Sequence, residues 1–293
     1  MDYLNTLKPR IVALFLVSAG VAWILAGGRL FAFSLFFTLA GLAFCVAGAS
    51  ALNNYLERDR DRLMVRTQGR PLPAGRIDPR RIRTLAVSLL LSGAIVLWFV
   101  GGPVAAGFGV FGAAYYLIAY TLLLKPRTAY SAVPGGLAGI FPPLVGWASA
   151  GGGFSAEIVF LCGIVFLWSP PHFWSLTLAR AEDYRCAGIP VPGSHCGVAV
   201  ARLQIVAYTS ALVSLSLLPT VLGFAGLAYL LTVLAGGVLF GGAVLALALT
   251  REARWNTVVY RLSGPYLGLL LLALALGADG TANAQEILVR AAG

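Results

Sequence analysis

The sequence predicts an all-α, polytopic membrane protein with nine transmembrane helices, and three observations carry that prediction. Of the 293 residues, 59% are hydrophobic and only 11% are charged, whereas ordinary soluble chains carry about 25% charge. Apolar runs long enough to cross a bilayer recur from one end of the chain to the other. The basic residues behind the net charge of +10 cluster in alternate connectors between those runs. Such alternation fixes topology in a membrane, so the charge needs no nucleic-acid partner.

The first run, at about 11–28, follows "MDYLNTLKPR". It ends without an A-x-A-like cleavage site, so it reads as a retained helix rather than a signal peptide. Further runs lie at about 31–52, 84–101, 103–124, 133–150, 157–178, 203–222, 226–249 and 262–277. Connectors such as "GGR", "GGP", "AGGGFSAE" and "PTVLGFAG" are short and nearly uncharged, and the others are basic. Of the 21 Lys and Arg residues, only Arg29 and Arg290 fall on the far side. The N-terminus and the long loops are therefore expected in the cytoplasm and the C-terminus outside. No soluble second domain interrupts the pattern, which makes 1–293 one transmembrane unit.

Three of the runs carry a distinctive set of residues. The fourth ends in "YYLIAYTLLLK", which puts Tyr116, Tyr120 and Lys125 near the cytoplasmic side; aromatic rings there either mark the membrane interface or face a cavity. The fifth, "GGLAGIFPPLVGW", is rich in small residues and suits close helix approach. The sixth contains "WSPPHFW", where Pro170 and Pro171 are expected to break or kink the helix beside His172. A buried histidine is either structural, satisfied by a freed carbonyl, or a ligand to something in a cavity. On a continuous helix Asp183 projects about 20° from His172, which would put both on one cavity.

The chain spends much of its charge in "NNYLERDRDRLMVRTQGRPLPAGR", residues 53–76. Asn53, Glu57 and Asp61 are spaced i, i+4, i+8, so they share a face if the second helix continues into this stretch. Oxygen ligands without His or Cys suit Mg²⁺, which is commonly shared with substrate phosphates. Arg66 and Arg70 could clamp phosphate oxygens bidentately. The plainer alternative is a charged cytoplasmic loop whose acids merely pair with its arginines. A second acidic set, Glu182 and Asp183 beside Arg180 in "RAEDYRCAGIP", is expected on the same membrane side. Two such sets on one bundle are costly unless something cationic bridges them, and a diphosphate with its magnesium ions is such a bridge. Of the four cysteines none implies a disulfide framework. Cys186, His195 and Cys196 are potential zinc ligands at a spacing poorly suited to the metal.

These stretches resemble the UbiA-type intramembrane prenyltransferases and, within them, the haem farnesyltransferases. "NNYLERDRD" is similar to the superfamily motif N-D-x-x-D-x-x-x-D, and "RTQGRPLPAGR" to the block that follows it. "FPPLVGWA", "LWSPPHFWSLTLAR" and "EDYRCAGIPV" resemble later family stretches in the same order, over roughly 10–270. The "PPHFW" block favours the haem branch over relatives acting on quinone precursors. Four positions depart from the family pattern. Glu57 stands in place of an Asp, Gly69 in place of an Asn, "IPVPGSHCG" replaces the usual loop, and no acid lies four residues after Asp183.

The resemblance implies a helical bundle with a central cavity open to the cytoplasmic side, in a bacterial inner membrane. It implies farnesyl transfer from farnesyl diphosphate to a vinyl group of haem B, with water supplying the new hydroxyl. Asn53, Glu57, Asp61 and Asp183 would hold Mg²⁺, and Arg66, Arg70, Lys125, Arg127 and Arg180 would neutralise the departing diphosphate. Tyr120 would face the allylic cation and His172 would hold the haem, which is a substrate and not a resident cofactor. Partners would be the bilayer and a downstream haem-modifying enzyme or terminal oxidase. An aromatic acceptor such as 4-hydroxybenzoate is the sister reading. A transporter is the third, although its charges would sit near the midplane rather than at helix ends.

Overall fold

The computed structural model describes residues 2–195, 197–250 and 252–292, with side chains for all of these except 194, 195 and 278–292. Among the described residues every regular element is helical. The elements are α1 (Asp2–Thr6), α2 (Pro9–Leu25), α3 (Phe33–Asp61), α4 (Pro79–Ala114), a π-helical stretch (Tyr115–Leu124), α5 (Ala132–Gly136), a 3₁₀ turn (Leu137–Ile140), α6 (Phe141–Ser149), α7 (Ala156–Ala179), α8 (Ala181–Cys186), α9 (Pro192–His195), α10 (Val198–Val221), α11 (Leu227–Thr250) and α12 (Arg254–Ala292). Among these, six helical stretches are long and apolar enough to cross a membrane, and Pro9–Leu25 is a shorter apolar helix. Large apolar side chains such as Phe31, Phe99 and Leu239 stand exposed around the bundle, a surface that belongs in lipid rather than water.

One of those stretches, Pro79–Leu124, runs 46 residues and holds the two predicted runs 84–101 and 103–124. The division between them is local: Gly102 has φ 82, ψ 173, a conformation open to glycine and costly for other residues. Pro103 follows, pre-set for the first turn of a new helix. Beyond it the chain widens into the π-helical stretch. The run predicted at 133–150 is likewise not one regular helix. Pro142 and Pro143 lack the N–H groups that would bond the carbonyls of Ala138 and Gly139, and the segment tightens into the 3₁₀ turn just there.

Two further expectations are corrected. Pro170 and Pro171 do not break their helix: α7 runs unbroken across both, and the two rings are buried against neighbouring helices, which keep the segment helical where hydrogen bonds are missing. The break comes later, at Arg180, whose φ of −131° and ψ of 31° separate α7 from α8. Projecting Asp183 from His172 along a continuous helix therefore fails.

Helix α3 lies along α4, α2 lies on α6, and α12 packs on α2, α7 and α11. At Gly146 a side chain would run into the Ala19 carbonyl, so the small residues of this segment do permit close approach. The largest apolar core gathers α7, α10, α11 and α12, with Trp174, Tyr229 and Phe240 almost fully enclosed. A smaller core joins α2, α3, α4 and α6. Between these two cores the bundle leaves room.

Candidate active site

That room is a cavity of about 610 Å³, within the roughly 300–1,000 Å³ of ordinary ligand pockets. Its lining is mostly apolar, and its polar groups include Tyr116, Tyr120, His172 and Tyr260. Helix α3 does continue to Asp61, so Asn53, Glu57 and Asp61 rise along one face, and all three are buried.

Buried carboxylates must be paired, and each of these is. Glu57 Oε1 accepts from Lys125 Nζ at 2.5 Å, and Asp61 Oδ2 accepts from Arg70 Nη1 at 2.7 Å. Asn53 ties three elements together. Its Oδ1 accepts from Lys8 Nζ at 2.6 Å, while its Nδ2 donates to Glu57 Oε2 at 3.1 Å and to Thr121 Oγ1 at 3.0 Å. Thr121 in turn donates to the Tyr116 carbonyl at 2.8 Å, so the acidic cluster and the tyrosine wall share one segment.

Lys8 was not a predicted site residue. Burial lowers its ammonium pKa to about 7; Arg70 and Lys125 push the same way, while Glu57 and Asp61 oppose them. Among the described residues it is also the one non-glycine with positive φ, 53°, a strain of the kind that collects at functional sites. Its place in sequence, just ahead of the first apolar run, had marked it only as a topology signal.

The second acidic set reaches the first through the backbone. Asp183 Oδ1 accepts from the Val65 N–H at 3.0 Å, and Met64 packs with Tyr184, Ala187 and Ile189 in a small core beneath. Burial raises the pKa of the Tyr184 hydroxyl, and the charge of Arg66 acts against that rise. The loop 62–76 is thus the bridge between the sets. Arg66 and Arg180 are exposed. Arg127 donates to the Leu122 and Leu123 carbonyls, where it caps the π-helical stretch. Among the described residues no three of His, Cys, Asp and Glu stand close enough to hold an ion without rearrangement. The donor chemistry still fits Mg²⁺, being all oxygen, with half-buried cations that a metal could replace as partners.

Tyr120 stacks on Tyr116 with ring centroids 5.9 Å apart and meets Phe173 edge-on at 6.4 Å. On the opposite wall His172 lies between Trp168, at 4.4 Å, and Tyr260, at 4.9 Å. His172 Nδ1 is 2.6 Å from Ser263 Oγ, and that hydroxyl lies 2.7 Å from the Tyr260 carbonyl. A hydroxyl has one proton. When it goes to the carbonyl, Nδ1–H must donate to Ser263, which leaves Nε2 with the free lone pair that a metal ligand needs. Trp168 Nε1 also donates to the Ser263 carbonyl at 2.7 Å. Nothing in the sequence pointed to Ser263 or Tyr260, which lie some 90 residues from His172. Cys45, Cys162 and Cys186 are free thiols; Cys196 and the side chain of His195 lie outside the described residues, so the zinc set has no geometry here.

Residues 13–264 match the UbiA prenyltransferase family. The chain is 40% identical over 251 residues to a protoheme IX farnesyltransferase of Azorhizobium caulinodans, covering 86% of this chain and 81% of the relative. It is 40% identical over 267 residues to protoheme IX farnesyltransferase 1 of Pseudomonas fluorescens, covering 90% and 85%. Among solved structures, a digeranylgeranylglyceryl phosphate synthase superposes with a TM-score of 0.76 at 18% identity, covering 94% of this chain and 97% of that one. A UbiA homologue from Archaeoglobus fulgidus bound to DMAPP and Mg²⁺ superposes with a TM-score of 0.65 at 16% identity, covering 95% and 99%.

Proposed function

Because the chain belongs to the UbiA prenyltransferase family, we propose that it joins the farnesyl group of farnesyl diphosphate to a vinyl group of haem B within the membrane. The observation that carries this reading is the juxtaposition in one apolar cavity of His172 on one wall and Tyr116 and Tyr120 on another, beside a buried oxygen cluster held by Lys8, Lys125 and Arg70.

The diphosphate would enter at this cluster, where the ammonium groups of Lys8 and Lys125 and the guanidinium of Arg70 meet its charge. Asn53, Glu57, Asp61 and Asp183 would hold Mg²⁺, which when bound stabilises negative charge on the leaving group. The allylic C–O bond breaks with its electron pair going to diphosphate. Tyr120, stacked on Tyr116, offers a ring face to the positive charge left on carbon. The vinyl π electrons then form the new C–C bond, and water adds to the resulting carbocation with loss of a proton. His172, held by Ser263 and sandwiched by Trp168 and Tyr260, positions the porphyrin through its free Nε2. The apolar lining keeps water from the allylic cation before the vinyl group reaches it.

The protein is an integral membrane protein, and its topology follows from the same reading. With Pro79–Leu124 divided at Gly102 and 132–149 counted as one crossing, the described helices would make nine crossings. The charge pattern supports an N-terminus and a cluster on the cytoplasmic side of a bacterial inner membrane, with the C-terminus outside. The cavity then opens towards cytoplasm and lipid, as two hydrophobic substrates require. Membranes carrying the protein, incubated with haem B, farnesyl diphosphate and Mg²⁺, should yield a farnesylated, hydroxylated haem by mass analysis of the extract. Consumption of farnesyl diphosphate without modified haem would overturn the acceptor and favour an aromatic one.

A further inference from the structure

Two arginines line the same cavity and have no part in the cluster described above. Arg10 lies in the first turn of α2, and Arg261 lies in the second turn of α12. Both are exposed, and among the described residues neither makes an ion pair or a side-chain hydrogen bond. Their surroundings repeat: Arg10, Ile11, Leu14 and Phe15 line the cavity from α2, and Tyr260, Arg261, Gly264 and Pro265 line it from α12. Each set is a stripe of one helix face, and α2 and α12 pack against each other. The two guanidinium groups therefore stand at corresponding ends of adjacent stripes, where each helix begins on the basic, cytoplasmic side.

We propose that Arg10 and Arg261 bind the carboxylates of the acceptor, holding the acid-bearing edge of the porphyrin at the mouth between α2 and α12. This rests on the reading of the acceptor as haem B. Haem B is an apolar disc with two carboxylates on one edge and its vinyl groups on the other half. Carboxylates resist burial in an apolar cavity and stay at its wet rim, and guanidinium meets them bidentately in a way an ammonium cannot. With the acid edge at this mouth, the vinyl half points into the cavity. The far wall there is the segment 115–124, which packs on α3, α4 and α5 rather than on α12 and carries Tyr116 and Tyr120 next to the diphosphate cluster. Helix α7 stands between the two walls: His172 contacts Tyr260 on the acid side, and Phe173 contacts Tyr120 on the vinyl side. The pair would thus select which edge of the porphyrin meets the farnesyl carbon.

The test compares haem B with its dimethyl ester, using full-length protein in vesicles and absorbance titration, with the KM for farnesyl diphosphate measured alongside. Wild-type protein should bind haem B about 100-fold more tightly than the ester. Arg10→Gln and Arg261→Gln should each weaken haem B about tenfold, about 1.4 kcal/mol, and leave ester binding nearly unchanged. The double variant should no longer tell acid from ester, and the Arg→Lys versions should keep part of the preference. The KM for farnesyl diphosphate should stay within about twofold throughout. Equal wild-type affinity for acid and ester would overturn the proposal. So would variants that bind haem B normally, which would leave the arginines as topology signals, or variants that lose farnesyl diphosphate, which would assign them to the other substrate. Acid-over-ester preference in a protein that never produces farnesylated haem would leave the carboxylate site standing and sink the proposed reaction instead.

Discussion

Gly135→Ala perturbs the tyrosine wall without touching any charged group. A Cβ at position 135 would stand 2.4 Å from Tyr120 Cδ2 and 2.7 Å from its Cε2. Ordinary contact begins near 3.4 Å, so the ring must retreat by about 1 Å. Its retreat is obstructed, since Tyr116 stacks on one side and Phe173 meets it edge-on. Overpacking of this kind costs about 1–3 kcal/mol, offset by up to about 1 kcal/mol because alanine is the better helix former in α5. The fold should therefore survive.

The larger effect should be on chemistry. A displacement of about 1 Å in a group aligned on the reacting carbon can cost on the order of a hundredfold in rate, about 2.7 kcal/mol of barrier. We expect kcat for haem farnesylation to fall ten- to a hundredfold, with the KM for farnesyl diphosphate within about twofold, because Lys8, Lys125 and Arg70 are untouched. Steady-state rates at saturating haem B measure this. Gly139→Ala is the control: it lies on the same segment, but its Cβ would meet only Val165 Cγ1, at 3.1 Å, and it should keep kcat within about threefold. A wild-type kcat for Gly135→Ala, or equal losses in the two variants, would refute the placement of Tyr120 against the reacting carbon.

Other variants separate the parts of the site. Asp61→Ala should lower turnover a hundredfold or more with the protein still folded, and a near-normal yield of farnesylated haem would remove Asp61 from the diphosphate site. Asn53→Ala should lose as much activity and also cost about 1–3 kcal/mol of stability, seen as a lower Tm, because it leaves the Lys8 ammonium without its acceptor and Glu57 Oε2 and Thr121 Oγ1 without their donor. Glu57→Asp should retain most activity, since the long stem of Lys125 can follow the shorter carboxylate, whereas Glu57→Gln should lose it; equal rates for the two would exclude a charge requirement at 57. His172→Ala should weaken haem retention and leave farnesyl diphosphate binding almost unchanged. Ser263→Ala should lower haem affinity by a smaller factor, about tenfold, with a shifted haem spectrum, and Ser263→Thr should restore both. Parallel loss of both substrates in His172→Ala would mark that histidine as structural.

The sequence by itself determined the membrane class and the residues of the oxygen cluster. Both are local or periodic: a spanning run and an i, i+4, i+8 spacing are legible along the chain because a helix turns them directly into a face. It also picked out Tyr120, Lys125 and His172, each marked by an unusual neighbour or position. What surrounds them was decided only in three dimensions. Lys8 becomes a partner of the buried Asn53 because α1 and α2 fold back over the end of α3. Ser263 and Tyr260 reach His172 because α12 packs on α7. The two prolines of α7 stay helical, and Asp183 leaves the face of His172, because neighbouring helices compensate for missing hydrogen bonds and the chain turns at Arg180 instead. Sequence spacing gives a direction only within one unbroken element. Which elements become neighbours is set by the packing of apolar stripes and small residues across the bundle, and that information is spread over the whole chain.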